Sequence, residues 1–315
     1  MIALIGKDPF AAIYTIFTGA VGGYYSLGST LNLTTILVLT GLAGTVAFLA
    51  GIWNIGMEGQ LYIGALSGAI TAFALPGIGV LAVPLAFIIG TLAGGLYAAL
   101  AGALKAKLKV NEIVSTIMLN YIAVLLVDWV GAGPLHNPGA ALNETPPIPT
   151  QLAIPSIPGT TIQPGIIIAI LLCFGLFYIL TRTKFGFELR MTGGNYRAAE
   201  YVGVRAVRQT VTTMFISGAL SGLAGCFLLF GSSYSVFDGI SKSYGYLGIG
   251  VALLASLNPI GAIFSAFLFS VLDTGGIVMQ AVSGVPFEVA ESMAAIIVIV
   301  ILIRPLLAKA ISRKP

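Results

Sequence analysis

Residues 51–65 read GIWNIGMEGQLYIGA and set Asn54, Glu58 and Gln60 between two long apolar runs, with glycines at 56 and 59. The chain around them is 57% hydrophobic and only 8% charged over 315 residues. So little polar surface cannot clothe a water-soluble globule of this size, and the sequence is that of an integral membrane protein. Its apolar runs are continuous rather than alternating, which points to helices and not to the strands of a membrane barrel. A carboxylate near the bilayer centre costs about 2.5–3.5 kcal/mol on insertion scales, so Glu58 has to face water, a partner or a pathway rather than lipid. Gly56 and Gly59 permit a helix break there, whose backbone groups only a cavity or a protein contact can satisfy. Two readings stay open: a broken helix that borders a pathway, and a short cytoplasmic turn between two spans.

Working outward, a hydrocarbon layer of roughly 30 Å takes about 20 apolar residues to cross. Such runs fall near 33–53, 60–76, 78–104, 113–131, 165–181, 209–231, 244–257, 260–281 and 286–303. The expected fold is all-α and polytopic, about nine transmembrane helices in a single domain over 1–315. The segment 132–164 is rich in proline and poor in Lys and Arg, whereas 182–208 carries Arg182, Lys184, Arg190, Arg197, Arg205 and Arg208. Basic loops stay cytoplasmic. That rule puts Lys105, Lys107 and Lys109, the 182–208 segment, and the tail with Arg304, Lys309, Arg313 and Lys314 inside, and 132–164 outside. Residues 1–30 then lie outside or in the interface, with PFAAIYTIFTGAVGGYY as an interfacial helix or partial span. The net charge of +4 reflects this asymmetry and not a nucleic-acid partner. No secretory signal is visible, the apolar run before Lys7 being too short.

TGLAGTVAFLAG (40–51) echoes SGLAGCFLLFG (221–231), and EGQLYIGA (58–65) loosely echoes YGYLGIGV (244–251). By the charge assignment the members of each pair run in opposite directions, as in an inverted repeat; chance likeness among Gly- and Ala-rich helices is the alternative. A second polar stripe opens the fourth span in VNEIVSTIMLNYIA, where Glu112, Thr116 and Asn120 recur every four residues beside Ser115. All four share one broad helix face, which either lines an aqueous path or hydrogen-bonds to neighbouring helices. Asn111 suits the cap of that helix. The 182–208 segment reads as a short surface helix that docks into another protein, or as a solvated loop.

Other polar residues read plainly. Cys173 and Cys226 sit inside apolar runs as packing residues. His136 has no metal-ligating company, and Trp53 and Trp129 stand at span ends as an aromatic belt would place them. Asp128, Asp238, Glu288 and Glu291 fall near span ends, while Asp273 lies deeper, as a weaker pathway candidate than Glu58. No phosphate-binding GxxxxGK[ST] loop, HExxH or GxSxG motif occurs, so energy for uphill transport has to come from a partner or an ion gradient.

Taken together, NIGMEGQ (54–60), NEIVSTIMLNYIA (111–123) and GFELRMTGGNYRAAEYVGV (186–204) resemble the permease subunits of bacterial ABC importers of the branched-chain amino acid and simple-sugar family. The resemblance is greatest to the nucleoside branch, which serves purine-binding lipoproteins of the basic membrane protein type, and covers about Pro9 to Arg304. It implies the ten-helix arrangement of vitamin B12 type importers, with two pseudo-symmetric groups of four helices. The chain would carry it less the first helix, since related chains have a further span before the segment matching KDPFAAIY. It implies a plasma-membrane permease that is not an enzyme and binds no cofactor or metal, ATP and Mg being held by a partner ATPase with two nucleotide-binding units. A second related permease and an extracytoplasmic substrate-binding lipoprotein complete the expected assembly. The 182–208 segment would dock into the ATPase, with Arg190, Gly193, Asn195, Ala198, Ala199 and Gly203 at the matching positions and Tyr196 where the pattern more often has Pro. For the translocation pathway the expected residues are Asn54, Glu58, Gln60, Glu112, Ser115, Thr116 and Asn120, whose amides and hydroxyls suit a nucleoside. The rival readings are a permease for ribose or another simple sugar, and an ion-coupled carrier with Glu58 or Glu112 titrating. A membrane enzyme would need clustered nucleophiles, metal ligands or paired carboxylates, and none is seen.

Overall fold

A computed structural model of the chain describes Ile2 and residues 7–311, and among these it is built of helices, with a single bridge between Glu144 and Phe237 outside them. In order these are α1 (Pro9–Val21), α2 (Tyr24–Leu49), α3 (Met57–Ala74), α4 (Ala82–Leu108), α5 (Glu112–Ala132), α6 (Gly165–Arg182), α7 (Lys184–Gly194), α8 (Tyr196–Tyr201), α9 (Ala206–Leu228), α10 (Tyr244–Leu254), α11 (Pro259–Ser283) and α12 (Glu288–Ile311). Each expected span falls on one of them, namely α2 to α6 and α9 to α12. Six are long and apolar enough to cross a membrane: α2, α4, α5, α6, α9 and α11, with α4 and α9 each extended by a short turn. The run at 244–257, expected as a span, is an 11-residue helix, α10. At about 1.5 Å per residue it rises about 16 Å and cannot bridge the bilayer alone. Arg313 and Lys314 of the cationic tail lie outside the described residues, as do the side chains of Arg304 and Lys309.

Local chemistry sets the helix ends. Asp8, Asn111, Asn195 and Asn258 each accept a bond from a backbone N–H of the first turn they precede, and Pro9 and Pro259 occupy first helical positions where no donor is lost. α2 starts at Tyr24, well before the expected 33, so residues 1–30 hold all of α1 and the first turns of α2. α1 packs along α11 through buried Ala12, Ile16, Gly19 and Ala20.

The core is a crossed pair. α2 and α9 are buried along most of their length. α9 packs against α2, α3 and α4, and α2 packs against α9, α10 and α11, while α5 leans on α3 and α4 and α12 on α10 and α11. Each central helix is thus wrapped by helices from the other half, and the two sequence echoes fall on α2 with α9 and on α3 with α10. Contacts this close need small residues, because lipid offers helices no apolar driving force to associate. A Cβ on Gly222 of α9 would lie 2.6 Å from the Gly90 carbonyl oxygen of α4, and one on Gly94 would lie 2.6 Å from that of Gly218. Outward, Ile88, Leu92, Leu96 and Leu100 of α4 form an exposed stripe at four-residue spacing, the mark of a lipid-facing surface. The segment 132–164, expected outside, lies over the α9–α10 connection: Thr145 N–H donates to Val236 O at 3.0 Å and Ile148 N–H to Tyr234 O at 2.8 Å.

Candidate functional site

The stretch that opened the sequence reading is a helix break buried in the bundle. α2 is stopped at Gly51, whose φ of 69° is left-handed, with Gly51 N–H donating to Phe48 O and Ile52 N–H to Ala47 O, both at 3.0 Å. This is the two-bond helix stop that glycine favours, closed by buried Ile52. The break therefore precedes the expected one at Gly56 and Gly59. Gly56 caps α3, and Gly59 lies within α3, where a Cβ would come 2.8 Å from the Asn120 Cα, so its smallness admits α5 rather than breaking a helix.

Chain reversal here leaves polar groups that side chains satisfy. Asn54 and Gln60 exchange two amide bonds of 3.0 Å, and the Asn54 amide also donates to Ser217 Oγ of α9 at 2.9 Å. Ser217 in turn donates to Ala43 O of α2 at 2.8 Å, and Asn54 Oδ1 accepts from Gly56 N–H. From α5, Asn120 Oδ1 accepts from Gly59 N–H at 2.8 Å, supplying a partner to one of the donors that a helix start leaves free. The Asn120 amide donates to Ile55 O at 2.9 Å and to the Tyr246 hydroxyl of α10 at 3.0 Å. Glu58, buried, accepts at one carboxylate oxygen from Ser241 Oγ and at the other from Gly245 N–H at 2.8 Å, so its charge sits at the N-terminus of α10, where the helix dipole favours an anion. Two helix starts, α3 and α10, are thus fastened side by side.

The structure gathers Asn54, Glu58, Gln60 and Asn120 around the start of α3, Asn54 and Gln60 bonded to each other, Asn120 to the α3 backbone and Glu58 to the start of α10. Thr116 lies against Gly56, and both Thr116 and Ser115 donate back to Glu112 O within α5. Glu112 stands apart at the α4–α5 corner, ion-paired with Lys105 at 2.5 Å and partly exposed. Sequence reading missed Ser217, Ser241 and Tyr246 as members; the first two look like ordinary helix and loop serines, and only the fold shows what they meet.

The 182–208 segment forms two helices, α7 and α8, rather than one. Gly193 packs on the end of α2, where its Cβ would fall 2.9 Å from the Ala50 carbonyl carbon and 3.0 Å from Gly51 N. Arg190 donates to Leu180 O at the end of α6, Asn195 Oδ1 caps α8 by accepting from Ala198 N–H at 3.0 Å, and Ala199 is buried. Gly203 has a φ of 87°, which a side chain would strain, and closes the turn after α8. Arg190, Asn195 and Gly203 are exposed on this pair, beside Tyr201, 93% exposed, and Val202, 65% exposed, neither of the last two singled out from sequence. Beside them a cleft of about 560 Å³ is lined by Lys184, Glu188, Arg205 and Arg208.

Comparison with known proteins gives this helical bundle a family. A family model described as branched-chain amino acid transport system / permease component matches residues 26–304. The chain belongs to this family. It is accordingly a multi-pass permease of the cytoplasmic membrane and not an enzyme. It is 33% identical over 304 residues to the guanosine ABC transporter permease protein NupP of Bacillus subtilis (strain 168), covering 95% of this chain and 87% of that one. To the nucleoside ABC transporter permease protein NupB of Lactococcus lactis subsp. cremoris (strain MG1363) it is 34% identical over 310 residues, covering 95% and 85%. The glucose ABC transporter permease protein TsgB13 of Haloferax volcanii is 27% identical over 308 residues, covering 94% and 80%. No solved structure matches the chain.

Proposed function

We propose that this permease carries nucleosides inward as one subunit of an ATP-driven importer. The carrying observation is the 33–34% identity, over nearly the whole chain, to permeases named for guanosine and for nucleosides, against 27% to the glucose permease. A second related permease, an ABC ATPase with two nucleotide-binding units and an extracytoplasmic binding lipoprotein complete the machine. ATP and Mg are bound by the ATPase, and this chain supplies no cofactor site.

In this reading α7 and α8 dock on the ATPase with Arg190, Gly193, Asn195, Ala198, Ala199 and Gly203 shaping the pair. Closure of the ATPase moves α7, and Gly193 passes that movement to the helix stop at Gly51, seven residues before Glu58. The network of Asn54, Glu58, Gln60, Ser115, Thr116 and Asn120 is the wall that this movement rearranges, with Glu112 at its inner rim. Tilting α3 against α9 and α10 then opens the path alternately to each side. A nucleoside pairs an apolar base face with a hydroxylated sugar, so its path has to offer an apolar and a polar surface without holding it tightly.

The substrate class is tested by competition. In proteoliposomes of the complete complex, uptake of labelled guanosine is expected to fall with excess unlabelled adenosine or cytidine and to be indifferent to ribose and glucose. Competition by a free sugar and none by nucleosides would contradict the reading.

A further inference from the structure

We propose that the solute's holding site in this chain is the cleft between α10, α11 and α12, with Lys242, Asp273 and Glu291 binding its polar part and Tyr246 its flat apolar part. This rests on the nucleoside reading above and names the residues that meet the nucleoside. The cleft holds about 410 Å³, within the roughly 300–1,000 Å³ usual for small-molecule sites. Its charged residues come from the residues just before α10, the first turn of α12 and the middle of α11. The lining further along α10 and α12, at Gly250 and Val298, is apolar. One end is therefore polar and the other greasy, the division that a ribose joined to a base requires.

The contrast with the Asn54–Asn120 network decides between the two places. There, amides and carboxylate are spent on protein partners. Here the charges border open space. The ion pairs among the described residues are Lys105–Glu112 and Lys184–Glu188, and Lys242, Asp273 and Glu291 belong to neither. Lys242 and Asp273 also line a second cleft of about 640 Å³, bordered by Ser29 and Asn32 of α2 and by Ser232, so one cation–anion couple stands where two cavities adjoin. A charged side chain in the middle of an apolar helix, as Asp273 is in α11, is retained where it meets water, another charge or a solute. The backbone holds Lys242 there under strain: Lys242 and Ser243 are consecutive non-glycine residues at φ of 45° and 64°. Carboxylates at Asp273 and Glu291 accept from sugar hydroxyls, the Lys242 ammonium donates to their oxygens, and the ring of Tyr246, 40% exposed, lies available to a base. Tyr246 also accepts from the Asn120 amide at 3.0 Å, so a solute touching its ring is one hydrogen bond from the network at the helix break.

The test uses the complete complex in proteoliposomes. Asp273→Asn and Lys242→Met are each expected to lower the maximal rate of guanosine uptake about tenfold, the scale of one lost charged hydrogen bond, while ATP hydrolysis continues. A purely structural role would depress both together. Ser243→Cys, a small change at an exposed cleft residue, gives an independent measurement, since Cys173 and Cys226 are buried. Millimolar adenosine is expected to slow its alkylation by a water-soluble thiol reagent several-fold. Full uptake by both charge variants, or alkylation at one rate with and without adenosine, would overturn the site. A wild-type complex that takes up no guanosine contradicts the nucleoside reading itself, a failure visible before any variant is compared.

Discussion

Glu58 shows what a single acid does at the centre of a bundle. Its two oxygens receive Ser241 Oγ and Gly245 N–H, donors from the α9–α10 connection and the start of α10, while its own backbone opens α3. Glu58→Ala strands both donors, and an unpaired buried donor costs about 1–3 kcal/mol. Glu58→Gln keeps an acceptor for Gly245 and offers its amide to Ser241, whose hydroxyl can turn to accept. Thermal unfolding in detergent, followed by a dye that reacts with Cys173 and Cys226 as they become exposed, is expected to show Glu58→Ala melting clearly lower and Glu58→Gln close to the parent. Equal melting of all three would mean that these bonds do not fasten α3 to α10. That Glu58, Asn54, Gln60 and Asn120 each need a polar partner was legible in the sequence, because polar side chains in oil have to find company. Their partners Ser217, Ser241 and Tyr246 were not, since each lies more than 100 positions away and its bond exists only once the helices cross.

Helix positions and identities followed from hydropathy, while their ends followed from capping chemistry. The break near residue 54 was visible, but it was placed on Gly56 and Gly59 when the decisive residue is Gly51. The pattern of an apolar run, a glycine and then buried Ile52 marks a helix stop, and the nearer pair of glycines around Glu58 masked it. The brevity of α10 was hidden in the same way, because its apolar composition continues past the turn at Ser256 and Leu257, both in left-handed conformation. Glycine serves a different purpose where α4 crosses α9. Ala exceeds Gly in helix propensity by about 1 kcal/mol, yet a Cβ at Gly222 would meet the Gly90 carbonyl oxygen at 2.6 Å, whereas nothing lies within 4 Å of one at Gly175 on α6. Gly175→Ala should melt at or above the parent temperature, and Gly222→Ala should lose about 1–3 kcal/mol through overpacking. If the two behave alike in the same dye assay, the crossing is looser than its geometry states.

At the scale of the whole molecule, the halves exchange partners around the α2–α9 pair, α9 packing on α2, α3 and α4 and α2 on α9, α10 and α11. Helices α7 and α8 are tied to that core at the end of α2, and the most exposed apolar residues of this segment are Tyr201 and Val202, at and just after the end of α8. The central claim is that work enters through this pair from an ATPase, and that the chain itself stores no energy and titrates no driving ion. The most direct measurement is guanosine uptake by the reconstituted complex, with ATP supplied on the ATPase side and proton and sodium gradients collapsed by ionophores. The account predicts uptake that requires ATP hydrolysis and continues undiminished without ion gradients. Uptake by this chain in the absence of the ATPase, abolished by the ionophores, would contradict it.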